Sequence, residues 1–473
     1  MCHNWGMNGK VVQWEMEKGA GEKPTARSHS RNRRVARTAG HPPAQCNSAH
    51  ATCSQYKSVK VNISGYNQVK KHSSMKKNTC HPRISAFSLL PSSFILFGLL
   101  CCLLAAGLRA EPPPPALVNP PDVSFRKEVQ HAIDLGLQWL QTNQNSNGWW
   151  STAAQPALTA LALSACMGEP SGTLRAHPTP AILRGYKFVT NNVQPDGSIC
   201  AKGLANYNTA LCMMGLLAAQ NPAYDTIVRN GRHWLLTQQV DLGADSPYTG
   251  GVGYGESGTH SDMNNTMTAL EALYFSKALD RDQPLAGAKD LNWAAALHFI
   301  QTCQDLPGYN KEAWVTDDPK YKGAFIYEPG RATTGTVTNA QGRLPLRCYG
   351  SISYAGMLSY IYADLKPDDP RVTAVYGWLR DNFTVDENPG LGQDGLYYYL
   401  HLMTRALSIY GTDRLALKDG RTLDWRREVA MKLINLQKAD GSWANPNGRW
   451  WEHDPALVTS YSVMSLEILY RGL

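Results

Sequence analysis

One short stretch of this 473-residue chain carries residues spaced for chemistry: Asp262-Met263-Asn264-Asn265-Thr266, at the head of the apolar run MTALEAL. A carboxyl and two amides within four residues offer a proton donor or acceptor flanked by hydrogen-bonding groups. General acid catalysis needs the carboxyl, because an amide is not a strong acid. Asp262 is also placed to cap a helix by accepting its first free N–H groups. Asn264 and Asn265, once buried, need hydrogen-bond partners, so a polar cluster is expected around them. His401 follows three tyrosines in Tyr397-Tyr398-Tyr399-Leu400-His401 and reads either as a working imidazole or as a hydrogen-bonded histidine in a cavity wall. Tyr207, Tyr349, Tyr354 and Tyr398 open or enter other apolar runs, and Trp450-Trp451-Glu452-His453-Asp454 precedes the last one. Aromatic faces around a low-polarity pocket stabilise cations or hold polyprenyl chains; they also simply fill space. Asp262 and His401 are therefore the catalytic candidates. Tyr207, Asn264, Asn265, Tyr349, Tyr354, Tyr398, Trp451 and Asp454 are the ligand-binding candidates. Two facing carboxylates suit sugar hydrolysis, and the pairing open to that reading is Asp262 with Glu452 or Asp454.

These residues sit on a repeating framework. Residues 136–150 read GLQWLQTNQNSNGWW, with Gly136, Trp139-Leu140, Gln144, Gly148 and Trp150 as its punctuation. Parts of that grammar recur around Phe188, Trp234, Phe299, Trp378 and Leu433, at intervals of 46 to 79 residues. The final copy keeps Gln437, Gly441 and Trp443. Each copy is followed by a second stretch, at 154–166, 206–219, 262–275, 350–363, 397–410 and 456–469, rich in Ala and Leu and short of charge. Apolar residues all around a helix mean burial on most sides, whereas the motif-bearing stretches, such as 427–438, are amphipathic and belong outside. The glycine of each turn is expected to stop the first helix. Six hairpins, none able to bury its inner helix alone, predict an all-α fold: an α/α toroid of two concentric helical rings over residues 125–473, with parallel inner helices and a cavity at one end. The long third and fourth intervals place their surplus in Asp241–Asp262 and Asp305–Arg347.

The string at 136–150 resembles the QW repeat of squalene and oxidosqualene cyclases, and the six-hairpin layout resembles the toroid shared by those enzymes and the β subunits of protein prenyltransferases. The resemblance implies a terpenoid cyclase or prenyltransferase ancestry. In squalene-hopene-type cyclases an Asp-x-Asp-Asp-Thr motif protonates an alkene, and here the donor's place is held by Asn264. Prenyltransferases hold zinc on an Asp, a Cys and a distant His. The first two places fall here on Arg347 and Tyr349, with Cys348 one residue out of register, while His401 resembles the neighbourhood of the third. The resemblance thus implies neither protonation-started cyclisation nor a zinc site, and no cofactor or metal is expected.

The formal net charge of +8 is misleading as a guide to partners. Residues 1–84 hold 15 Lys and Arg against three Glu, which leaves 31 basic and 35 acidic residues for the rest. A mildly acidic body does not neutralise many phosphates, which excludes nucleic acid as the expected partner. Residues 75–110 begin with Lys76, Lys77 and Arg83, continue through the apolar Phe94–Gly107, and end at Ala110, the order of a secretory signal. Residues 1–74 are then a disordered basic extension or an upstream start chosen in error, with Met75 the initiator. Residues 111–124 are a proline-rich linker. The protein is expected to be exported, periplasmic or extracellular, with 84–108 able to serve as an uncleaved membrane anchor. Five cysteines follow residue 110, without a CxxC pair, and read as small buried thiols. Three functions compete: binding of an isoprenoid or other apolar small molecule in the ring, a non-catalytic cell-envelope scaffold, and a carbohydrate-active toroid enzyme.

Overall fold

The computed structural model describes residues 122–255, 258–282, 289–330 and 347–473. The expectations for 1–74, 75–110 and 111–121 lie outside these residues. Among the described residues, no helix is long and apolar enough to cross a membrane.

Among the described residues, twelve helices of ten residues or more alternate between two layers. The outer ones are α1 (Val123–Thr142), α3 (Pro180–Asn191), α5 (Asp225–Leu236), α7 (Trp293–Thr302), α9 (Pro370–Asp381) and α11 (Trp425–Leu436). The inner ones are α2 (Pro156–Met167), α4 (Ala205–Ala218), α6 (Met263–Asp282), α8 (Gly350–Tyr362), α10 (Leu396–Tyr410) and α12 (Pro455–Gly472). A two-stranded hairpin, β1 (Leu415–Ala416) with β2 (Thr422–Leu423), lies between α10 and α11. Proline opens α2, α3, α9 and α12, where its missing N–H costs nothing. Outer helices bury one stripe: α1 turns Phe125, Val129, Ala132, Ile133, Gly136, Leu137 and Leu140 inward, at the three-and-four spacing of an amphipathic helix. Inner helices are buried on most sides, with every residue of α2 and all of Asn206–Ala218 in α4 buried. Each inner helix packs on the one before and the one after, and α12 packs on both α1 and α2. The ring is closed, and the fold is the expected α/α toroid.

The repeat motif joins one hairpin to the next. Gln144 Nε2 donates to the Gly148 carbonyl in its own turn and to the Ala181 carbonyl at the start of α3. Gln239 does the same with Gly250 and Asn292, Gln304 with Gly323 and Arg371, and Gln437 with Gly441 and Ala132. The indoles of Trp150 and Trp443 tie the turn back to the Leu140 and Leu433 carbonyls, each at 2.7 Å.

The glycine has a different task from the one expected. α1 already ends at Thr142 with Asn143 as its cap. Gly148 comes later, at φ +98°, where a β-carbon would sit 2.6 Å from the Arg184 carbonyl oxygen of α3. Gly441 stands in the same relation to Leu135 of α1, so the last turn abuts the first outer helix. Glycine is required here because the turn is left-handed and touches backbone.

Candidate functional site

The inner helices begin at one end of the ring, and buried polar side chains hold their first turns. Asn208 Oδ1 accepts from the Ala157 N–H of α2, and Asn388 Oδ1 from the Ser351 N–H of α8. Glu452 accepts from the Tyr397 and Tyr398 N–H groups of α10 and from Asn445 Nδ2. Asp454 caps α12 through the Ala456 N–H. Glu452 and Asp454 serve here as helix caps, for α10 and α12 respectively. Burial pushes the Glu452 carboxyl up to about 7, while its hydrogen bonds pull the other way.

Asp262 caps α6. Its Oδ1 accepts the Asn265 N–H and its Oδ2 the Asn265 side-chain amide, both at 2.8 Å. Burial raises the carboxyl to about 6 against those two bonds; His260 lowers it and Glu328 raises it further. The acid that shares this place is therefore Glu328, which lies 2.8 Å from His260 Nε2. Glu328 belongs to the long α7–α8 connection, which sequence patterning treated only as surplus. Beside it the Tyr254 and Tyr327 hydroxyls meet at 3.1 Å. Thr266, the last residue of the motif, bonds the Val252 backbone N–H, as Thr159, Thr209, Ser353 and Thr459 bond those of Trp150, Ile199, Phe325 and Trp443. Thr266 therefore serves the repeat, and the hydroxyl recurring early in five of the six inner helices was the signal for it.

Two ties cross the ring from α6 to α10. Asn264 Oδ1 accepts the Tyr398 hydroxyl. Seven residues further along both helices, Glu271 pairs with Arg405, and Tyr362 of α8 donates to Glu271 while accepting from Arg405. Matching seven-residue steps mean that α6 and α10 run parallel and in register, about 10 Å separating the ties along the axis. Burial pulls the Arg405 guanidinium down to about 9. The sequence carried the signal of this second tie, a Glu and an Arg inside helices otherwise short of charge.

The other candidates are spread around the ring. His401, in the second turn of α10, faces α12, with Nδ1 2.9 Å from Ser465 Oγ and 3.2 Å from the Tyr461 carbonyl; burial drops its pKa to about 3. It is a neutral wall histidine. Tyr207 is buried in the first turn of α4. Tyr349 precedes α8, its N–H on the Phe325 carbonyl, and Tyr354 packs on Tyr399 in the α8–α10 seam. Trp451 sits at φ +65° in a tight turn ahead of α12, half-buried. The structure thus brings Asp262, Asn264, Asn265 and Tyr398 together and leaves Tyr354, Trp451 and Asp454 elsewhere. Among the described residues, no three His, Cys, Asp or Glu side chains are grouped to hold a metal ion. Cys166, Cys212 and Cys303 are buried free thiols, and Cys348 is buried as well.

No family model and no curated protein matches this sequence. Solved structures resemble it in fold. The type II terpene cyclase MstE from Scytonema is 11% identical, with 74% of this chain covering 99% of that one at a TM-score of 0.45. The glycoside hydrolase family 76 mannosidase Bt3792 from Bacteroides thetaiotaomicron is also 11% identical, with 72% covering 98% at 0.44. An α-1,6-mannanase of Salegentibacter, crystallised as an inactive variant with α-1,6-mannotriose, is 10% identical, with 73% covering 100% at 0.44.

Proposed function

We propose that this chain is an exported toroid that binds a small, partly apolar ligand at the Asp262 end of its ring and does not start cyclisation by protonation. The observation that carries the reading is the make-up of that end. A buried carboxyl of raised pKa stands among Asn264, Asn265 and three tyrosines, and an amide already bonded to Tyr398 occupies the place where alkene protonation needs an acid. Tyrosine faces suit an isoprenoid or other apolar portion of the ligand. The two α6–α10 ties cross the lumen, so the ligand lies over the inner-helix starts and is not threaded along the axis. The order of residues 75–110, basic then apolar then small, supports export.

The same ties favour a second reading, a non-catalytic envelope scaffold whose lumen is filled by its own side chains. Native mass spectrometry of the purified full chain, exposed to lipid extracts, separates the two. The ligand reading expects a retained small mass that is lost in Tyr398→Phe, with squalene and polyprenyl diphosphates returned unchanged. No retained mass sinks that reading and leaves the scaffold. Sequencing the secreted protein should find its first residue directly after Ala110.

A further inference from the structure

Asn206 Oδ1, Asn265 Oδ1 and His401 Nε2 are among the buried polar atoms of the inner helices that lack a hydrogen-bond partner. The chemical character of each is fixed by the other side of its own group. Asn206 Nδ2 lies 2.7 Å from the Gly253 carbonyl, and Asn265 Nδ2 lies 2.8 Å from the Asp262 carboxylate. Carbonyl and carboxylate oxygens accept, so the amide nitrogens must face them and the amide oxygens are what remains. His401 Nδ1 faces the Tyr461 carbonyl and Ser465 Oγ, whose own proton is on that same carbonyl. Nδ1 therefore carries the ring hydrogen, and Nε2 presents a bare lone pair. All three orphans are acceptors.

Two of them lie on the first turns of neighbouring helices. The Asp262 N–H bonds the Val252 carbonyl, Asn206 Nδ2 bonds Gly253, and the Asn206 N–H bonds the Tyr254 carbonyl. Residues 252–254 thus clasp the first turns of α4 and α6 together, with the two amides on them. His401 lies one turn beyond Tyr398, the residue tied to Asn264. The surroundings add carboxyl groups, Asp262 and Glu328, and aromatic faces, Tyr207, Tyr254 and Tyr398.

Unpaired buried acceptors are costly, and a native protein normally satisfies them. A single water answers one such atom but brings lone pairs of its own. A hydroxyl group does likewise. An ammonium group only donates, gains from the nearby carboxylates, and is favoured over aromatic faces.

We propose that the ligand of the Asp262 end carries a protonated primary amine, whose N–H groups meet the Asn206 and Asn265 amide oxygens. This rests on the reading that this end binds a small ligand, and it names the group that ligand must bear.

Three probes with one tail test it on the full chain by calorimetry and thermal shift: n-octylammonium chloride, 1-octanol and octyltrimethylammonium chloride. The first has charge and N–H donors, the second has a hydroxyl and no charge, and the third has charge and no donor. Octylammonium should bind roughly tenfold to a hundredfold tighter than either of the others, the range of hydrogen bonds to a charged group. Asn206→Leu should erase that preference. Should the variant fail to fold, the ranking of the three probes on the parent protein decides alone. Equal binding of all three keeps the ligand site and overturns the ammonium. Binding of none overturns both. Stabilisation by sodium or potassium chloride alone, with no gain from octylammonium, overturns the amine in favour of a bare cation.

Discussion

Burial acts on Asp305 and His401 in opposite directions. Burial raises the Asp305 carboxyl to about 7, opposed by the Thr316 N–H and helped by Asp318 and Asp317. An unfolded carboxyl ionises near 4, so the folded chain keeps this proton longer, and stability falls as pH rises from about 4 to about 7. His401 is depressed to about 3, below the value of about 6.5 for a free imidazole. Its contribution is complete above about 6.5 and drains away as pH falls towards 3, because the unfolded chain takes the proton first. Melting temperature against pH should therefore flatten between 4 and 7 in Asp305→Asn, relative to the parent. It should flatten below 6.5 in His401→Phe. An Asp305→Asn curve that falls as steeply as the parent's over that window would contradict the first assignment. The Asp262–Asn265 cap and the Asn264 cluster were readable from residue type alone, since buried amides beside tyrosine have few ways to be satisfied. Glu328 was not readable, because it reaches Asp262 from a connection with no periodic pattern.

Among the elements, the turns set the spacing of the outer layer. Gly148 and Gly420 both have positive φ, +98° and +83°, but a β-carbon at Gly148 meets the Arg184 backbone while one at Gly420 meets open space. Gly420→Ala should cost about 1–2 kcal/mol, the price of a left-handed alanine. Gly148→Ala should cost more, since α3 must also move. Urea midpoints of the two variants measure the difference, and equal shifts would show that the outer contact does not hold the turn in place. The helices themselves were legible from 3.6-residue periodicity and from the Gln and Trp punctuation. The glycine's purpose was hidden because the carbonyl it touches lies 36 residues further on, in a neighbour that only the folded ring supplies.

For the ring as a whole, Glu271 and Arg405 join the two inner helices that flank α8 through an ion pair that neither partner survives losing alone. Arg405→Met leaves Glu271 buried and uncompensated, a loss of about 3–5 kcal/mol, whereas Glu271→Leu with Arg405→Met should cost distinctly less. A double-mutant cycle by chemical denaturation reads the coupling, and additive losses would mean the pair is not joined across the ring. The lone Glu and Arg in apolar stretches each asked for a partner, but which one, 134 positions away, follows only once both helices are known to be inner, parallel and in register.

Closure also brings the two ends of the toroid together. The Arg126 guanidinium lies 4.3 Å over the Tyr470 ring, and Asp122 bonds Arg427 at 2.8 Å. Because the start of α1 and the end of α12 touch, the covalent break between them is an accident of connectivity and not a seam in the packing. The toroid is thus open to circular permutation: joined there by a short linker and cut at the exposed Asp419–Gly420 turn, the same six hairpins in a rotated order have every neighbour they had before.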